Sequence, residues 1–308
     1  MPLTQVHNSL LGQPVNHNIL INPSFTVKQR GDVIAHNETT YGPDRWRVRG
    51  LIHAGGGKVH SSTAIDPTTG TNKLVVEHDG ATSNTFIFQE IEAVNLQGLY
   101  GKEMTFSFSY SDVGGSGIPM AQIRSWDTSG VFKNLFNAVP TSLGDNRWTC
   151  TFTLSTEDGS IPDLIESGLR VYVYADEKNA APSEWSVWET KLEAGSVATP
   201  FIARSYGEEL ALCQRYYQTY SYNEGGGNAV KYAEGVIGGR FNAAITFPSV
   251  MRAVPTFKTL APPNLTRCTE GSHQIYTSSI HLRVDCTGSG DYRMSAGTSG
   301  AFSLDAEL

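Results

Sequence analysis

The sequence predicts an all-β protein in two parts joined by one short helix. Short runs of β-branched and aromatic residues recur along it, bounded by Gly, Asn, Asp, Pro or Ser, which is how strands and their turns are written. Only Ser205 to Tyr220, SYGEELALCQRYYQTY, reads as a helix. The chain of 308 residues also exceeds the usual size of one domain, and its composition changes abruptly at Glu224-Gly225-Gly226-Gly227-Asn228, a flexible tip or linker.

Residues 1 to 17 are expected to form an N-terminal arm. They contain no positive region followed by an apolar run, so they read as neither signal peptide nor anchor. Nowhere does an apolar run approach the roughly 18 residues of a spanning helix. The expectation is a soluble chain made in the cytoplasm, with no membrane insertion. A formal net charge of -7 argues against a nucleic-acid or anionic-membrane surface. Charged residues make up 17% against an ordinary ~25%. With 31 glycines and many Ser, Thr and Asn, the surface resembles that of extracellular β-proteins, which meet sugars or other proteins. Cys150, Cys213, Cys268 and Cys286 are too dispersed for a disulfide scaffold or a Cys-x-x-Cys zinc site and are expected to be reduced. Only Cys268 and Cys286 are close enough to flank a hairpin.

Seven strands follow from the pattern: Leu74 to Glu77, Thr85 to Ile91, Met104 to Tyr110, Met120 to Trp126, Trp148 to Leu154, Leu169 to Tyr174 and Trp185 to Leu192. Regularly spaced strands without intervening helices imply a sandwich or a barrel. Alternation assigns their faces. Met104, Phe106, Phe108 and Tyr110 point to the core and Thr105, Ser107 and Ser109 away from it. Trp148, Cys150, Phe152 and Leu154 repeat that pattern. Pro43 reads as a turn entering a strand, with Trp46 as a core plug.

In two strands the outward set is the informative one. If Leu169, Val171 and Val173 face inward, Arg170, Tyr172 and Tyr174 face outward together; likewise Ala121, Ile123 and Ser125 leave Gln122, Arg124 and Trp126 outside. Rings beside Arg and Gln suit sugar binding, where a ring stacks on a pyranose and polar groups take its hydroxyls. The same residues would equally suit a surface covered by a loop or a neighbouring subunit.

Asn16 to Phe25 (NHNILINPSF) and Gly42 to Val48 (GPDRWRV) resemble the opening of the jelly-roll modules, similar to carbohydrate-binding modules, of bacteriophage tail and fibre proteins. Trp188 to Phe201 (WETKLEAGSVATPF) resembles the ending of those modules, and Gly207 to Gln218 (GEELALCQRYYQ) the helix that follows them. Glu189 and Lys191 depart from the small or amide residues expected beside the tryptophan. The resemblance runs from residue 16 to residue 220. It implies a jelly-roll β-sandwich over 18–204, a linking helix over 205–220 and a smaller C-terminal β domain over 221–308. It also implies a virion protein, a tail fibre or receptor-binding protein that attaches to host surface glycan and contacts other virion proteins. The alternatives are a decoration or connector protein of the virion, or a glycan-degrading tail enzyme.

Within the closing strand, Trp185, Val187 and Glu189 alternate with Trp188, Thr190 and Leu192 until Gly195 and Pro200 end it. Ser205 and Glu208 then form a capping box. Tyr206, Leu210, Cys213 and Tyr217 fall on one helical stripe, packed either on the chain itself or on identical chains. After the glycines, Phe241, Ala243, Ile245 and Phe247 alternate, as do Ile280, Leu282 and Val284; Tyr292, Met294, Phe302 and Leu304 suggest further strands. Fewer than ~100 residues with few large apolar side chains make a thin core. Packing against copies would remedy that, and phage fibre proteins of the resembling kind commonly end in a trimeric domain, so a homotrimer is expected.

Catalytic motifs are missing. Gly55-Gly56-Gly57-Lys58 is no phosphate loop, and neither His-Glu-x-x-His nor Gly-x-Ser-x-Gly occurs. No cofactor is expected. A structural calcium ion would suit a jelly roll, although no Asp-rich loop demands one. Tyr220, Tyr222 and Tyr232 flank the glycine-rich tip and offer a second place for a receptor.

Overall fold

β-Branched and aromatic side chains crowd a helix but pack well on a pleated surface, and the chain follows that preference. The computed structural model describes residues 17–31, 33–35, 39–52, 59–78, 82–113, 118–126, 132–154, 168–175, 183–221, 230–235, 240–261, 264–266, 268–287, 290–295 and 301–307. The chain divides into two units, Met1–Tyr206 and Gly207–Leu308. Of the expected N-terminal arm, residues 1–16 lie outside the described residues, as does the glycine-rich tip.

The first unit is a jelly-roll sandwich of two antiparallel sheets. Its strands are β1 (Val33–Ala35), β2 (Thr39–Tyr41), β3 (Trp46–Ile52), β4 (Val59–Ile65), β5 (Asn72–His78), β6 (Thr82–Ile91) and β7 (Glu103–Val113). They continue with β8 (Pro119–Trp126), β9 (Phe132–Ala138), β10 (Thr141–Gly144), β11 (Arg147–Thr153), β12 (Leu169–Ala175) and β13 (Ser183–Ala194). One sheet has the order β1-β4-β5-β13-β7-β11-β10 and the other β2-β3-β6-β12-β8-β9. Between them lies one core, to which Phe106, Phe108, Tyr110, Trp185 and Val187 come from the first sheet and Trp46, Val48, Ile87, Ile123 and Val171 from the second.

All seven expected strands form, with ends shifted by a few residues, and Trp46 is the core plug its position suggested. It is fully buried, its indole Nε1 donates to the Asn22 carbonyl at 2.9 Å, and Phe25 packs 5.1 Å from it. Asn22 in turn donates from Nδ2 to the carbonyls of Val27 and Asp44. The Asn-Pro-Ser-Phe segment therefore closes this part of the core with its backbone polar groups paired.

The structure departs from simple alternation in two places. In β13 the register against β7 breaks between Trp188 and Lys191, where Glu189 takes a positive φ of 50°. This bulge returns Leu192 to the face of Trp185 and Val187, so the two alternating sets expected there do not persist. Backbone groups released by the bulge are taken up by the N-terminal segment: Thr190 N donates to Pro23 O, Asn18 Nδ2 to Thr190 O, and Leu192 N to Asn18 Oδ1.

The second departure is the polar face of β7. Thr105, Ser107 and Ser109 are buried, where alternation alone would leave them wet. Arg147 donates to Ser107 Oγ at 2.8 Å and to the Glu189 carbonyl at 2.7 Å, and Thr105 Oγ1 donates to Gly195 O. Burial pulls the Arg147 guanidinium below its usual value, an effect opposed by Glu189 and Glu193. Beside it the buried pair Lys191 and Glu193, 3.2 Å apart, holds Thr199: Glu193 accepts from its N–H and its hydroxyl, and Lys191 donates to the Pro200 carbonyl. Lys191, one of the two residues that depart from the resembling pattern, thus helps Glu193 to pin the Ala-Thr-Pro segment.

In the second unit, helix α1 spans Tyr206–Gln214. It is followed by β14 (Tyr217–Ser221), β15 (Val230–Gly235), β16 (Arg240–Thr246), β17 (Thr256–Ala261), β18 (Asn264–Thr266) and β19 (Cys268–Glu270). Then come β20 (Gln274–Ile275), β21 (Ser279–Cys286), β22 (Gly290–Ser295) and β23 (Ala301–Asp305). Three small antiparallel sheets result, ordered β14-β23-β17, β15-β22-β18 and β16-β21-β19, with β20 on β21. A modest core gathers Phe247, Met251, Ile280, Leu282, Phe302 and Leu304. Register sets Cys268 opposite Cys286, whose side chains lie outside the described residues.

The helix expected over 205–220 is shorter than its sequence pattern. After a turn in which Tyr216 N donates to Cys213 O, Tyr217 to Ser221 pair with Asp305 to Ala301. Strand pairing and ring packing, with Tyr220 stacked 5.2 Å from Phe302, prevail over the helical periodicity of this aromatic run. The supposed stripe is consequently divided. Tyr206 is 59% exposed and Leu210 half-buried, whereas Cys213 is buried in the chain and Tyr217 belongs to a strand.

Candidate functional site

Sheet order converts the two outward-facing sets into one surface. In β2-β3-β6-β12-β8-β9 the strands carrying Arg170 and Arg124 are adjacent, and register places side chains of up to five strands in rungs across the sheet. One rung runs Arg47, Phe88, Tyr172, Gln122 and Asn137. The next runs Glu90, Arg170, Arg124 and Asn134. A third, on the other side of the first, contains Arg49, Phe86 and Tyr174. Apart from Glu90 and Asn134, these residues line a groove of about 550 Å³, within the usual span of small-ligand sites, roughly 300–1,000 Å³.

Along the middle of the groove is an aromatic strip. Phe88 and Tyr172 stack at 4.8 Å with 26° between planes, and Phe86 meets Tyr172 edge-on at 5.8 Å. Guanidinium groups lie over these rings: Arg49 over Phe86 at 5.6 Å, Arg170 over Phe88 at 5.7 Å and Arg124 over Tyr172 at 5.4 Å. Such contacts hold a cation flat against an apolar surface while its N–H edges point away.

Glu90 lies beneath, its side chain 2% exposed. Its Oε1 accepts from Arg47 at 3.3 Å and pairs closely with Arg170; Oε2 is 3.2 Å from Arg47 without a hydrogen-bond alignment. Farther along, Asn134 Oδ1 accepts from Gln122 Nε2 at 3.2 Å and Arg124 Nε at 3.0 Å, and Tyr174 donates its hydroxyl to Asn137 Oδ1 at 3.1 Å. These pairings fix amide and guanidinium orientation before any ligand arrives, which lowers the ordering cost of binding.

Of the residues expected to bind glycan, Gln122, Arg124, Arg170, Tyr172 and Tyr174 all line this groove. Trp126 ends β8, and its side chain lies outside the described residues. The open platform expected for these residues is instead a floor: Tyr172 is 6% exposed and Gln122 7%, because Phe88, Arg124 and Asn134 cover them. Arg47, Arg49, Phe86, Phe88 and Glu90 were missed, although the signal was present. Once Trp46 is a core residue, alternation sends Arg47 and Arg49 to the other face, and Ile87 and Ile91 do the same for Phe86, Phe88 and Glu90.

Elsewhere, Tyr220 is half-buried against Phe302 and Phe247, so it belongs to a core rather than to a receptor surface; the side chains of Tyr222 and Tyr232 lie outside the described residues. Among the described residues no three His, Cys, Asp or Glu side chains gather as a metal site. No described helix is long and apolar enough to cross a membrane.

No protein-family model matches the sequence, and neither does any curated protein. Among solved structures, the chain is similar to the CBM22-1 xylan-binding domain of Paenibacillus barcinonensis Xyn10C, at 12% identity and a TM-score of 0.37, over 61% of this chain and 100% of that one. It is similar at 12% identity and 0.33 to the C-terminal family 22 carbohydrate-binding module of Clostridium thermocellum Xyn10B, over 51% and 89%. It is similar at 10% identity and 0.32 to the enzymatically active domain of tailspike protein 4 of bacteriophage CBA120, over 57% and 21%. With identities and scores this low, the likenesses bear on neither ligand nor assembly.

Proposed function

We propose that the chain is a phage virion protein of the tail-fibre or receptor-binding kind, and that its groove holds a host surface glycan without cleaving it. The observation that carries the glycan reading is the aromatic strip flanked by oriented Arg, Gln and Asn side chains across four strands. Rings offer contact to the apolar faces of sugars, and the fixed amides and guanidinium groups offer hydrogen bonds to their hydroxyls. Among the described residues the groove lining contains no carboxylate, and Glu90 beneath it is engaged by two arginines. Glycoside hydrolysis ordinarily uses two carboxyl groups flanking the bond, so the lining favours holding over cutting. The virion reading rests on the ordered resemblance from Asn16 to Tyr220.

The test is a glycan array and host-cell adsorption with Tyr172→Ala and Tyr174→Ala. Each is expected to weaken attachment about tenfold, the effect of losing one aromatic contact. Because Tyr172 is buried, melting is measured alongside; the half-exposed Tyr174 gives a variant whose fold should be unchanged. Full attachment by both folded variants would move receptor binding away from this groove.

The C-terminal unit has only a modest core, and association with copies of itself would add burial that so small a unit lacks. A homotrimer held by residues 205–308, with Leu210 in the seam, is the corresponding assembly. Light scattering is expected to give a trimeric mass for the wild type and a lower one for Leu210→Asp, since a carboxylate is costly in a packed seam. A wild-type monomer at micromolar concentration would overturn it.

A further inference from the structure

The groove differs in charge from the chain that carries it. Among the described residues its lining includes Arg47, Arg49, Arg124 and Arg170 and no acidic residue, while the whole chain has a formal net charge of -7. Among the described residues, four guanidinium groups gather here around the carboxylate of Glu90. The distribution is uneven within the groove. Glu90 pairs with Arg47 and Arg170, which lie on either side of it. Arg124 stands directly opposite Arg170 in the ladder, so two guanidinium groups share one stretch of the groove. Arg49, exposed on β3, contacts the ring of Phe86 and has no ion-pair partner among the described residues.

We infer that the ligand of this groove is an acidic polysaccharide, its carboxylate or sulfate groups held by Arg49 and Arg124 while the sugar rings lie along the aromatic strip. The inference rests on the glycan reading and specifies its class. Amides and guanidinium groups both serve neutral hydroxyls, but arginine also presents a planar, charged fork of donors matched to carboxylate, sulfate or phosphate oxygens. Arg49 and Arg124 stand on β3 and β8, three strand spacings apart, or about 14 Å. That separation suits repeated charges along a polymer better than one small anion. The net negative charge of the chain repels any polyanion over the rest of the surface, so acidic ligand binding is confined to the groove.

Full-length protein is titrated with polygalacturonate and its carboxyl-reduced form, with dextran sulfate and dextran, and with a single-stranded oligothymidylate. At least one acidic polymer is expected to bind about tenfold more tightly than its neutral counterpart, and to weaken as sodium chloride is raised from low to high concentration. Which acidic polymer gains distinguishes carboxylate from sulfate. The double variant Arg49→Gln, Arg124→Gln should lose that gain with melting unchanged, whereas Lys102→Gln with Lys258→Gln, which removes two charges outside the groove, should keep it. Equal binding of acidic and neutral members would overturn the inference and leave the glycan reading standing. Acidic binding indifferent to the arginine substitutions would overturn it as non-specific attraction, and strongest binding to the oligothymidylate would replace it with nucleic acid. Binding to none of the polysaccharides would overturn the glycan reading itself.

Discussion

Trp46→Ala is expected to lower the melting temperature of the N-terminal unit by roughly 10 °C. The indole is fully buried in the core between the two sheets, beside Phe25, and its N–H is paired with the Asn22 carbonyl. Truncating a buried Trp to Ala costs about 3–5 kcal/mol, as lost transfer energy plus the cavity left behind. A unit of this size shifts about 2–4 °C for each kcal/mol. The Asn22 carbonyl also loses its donor, and Asn22 orients the Val27 and Asp44 backbone, so the damage should spread into the segment that closes the core. Scanning calorimetry of the full chain, with near-ultraviolet circular dichroism to follow ring packing, measures this. A loss under about 1 kcal/mol would mean that the site collapses around the cavity, contrary to the tight surroundings described here.

Glu90→Gln is expected to destabilise the same unit by about 2–4 kcal/mol despite its nearly identical shape. Removing one member of a buried ion pair costs about 3–5 kcal/mol because the other charge is left uncompensated. Here the side chains of Arg47 and Arg170 retain 22% and 20% exposure, so water screens part of the loss. Loss of the carboxylate also removes an anion beside Arg170, which faces Arg124 in the ladder. Added salt should therefore restore part of the stability of Glu90→Gln and little of that of Trp46→Ala, whose defect is a cavity. Urea unfolding at low and high ionic strength separates the two. An unchanged midpoint for Glu90→Gln would show that Glu90 is not the counter-charge of the groove.

Much of the first unit was legible because strand alternation is a local property. Side chains point to opposite sides every second residue, so a run such as Met104, Phe106, Phe108 and Tyr110 declares its buried face without reference to any neighbour. That rule was enough to put Arg170, Tyr172 and Tyr174 on one side of their strand and Gln122 and Arg124 on one side of theirs. Trp46 as a core residue was equally visible.

Other features had no local signature. The bulge at Glu189 is paired with Asn18 and Pro23, far away in sequence, and nothing in the alternation of β13 foretells it. Helical spacing in Tyr206, Leu210, Cys213 and Tyr217 was real, but β23, more than eighty residues later, takes Tyr217 to Ser221 into a sheet. The groove itself exists because β3 and β6 lie beside β12. Only that neighbourhood sets Arg47, Phe88 and Glu90 against Tyr172 and Arg170, and turns an exposed platform into a positively charged floor. Which face a side chain occupies is fixed by backbone geometry within a few residues of it. Which strands become neighbours is decided by burying the core of the whole unit at once, and the ligand site inherits that decision.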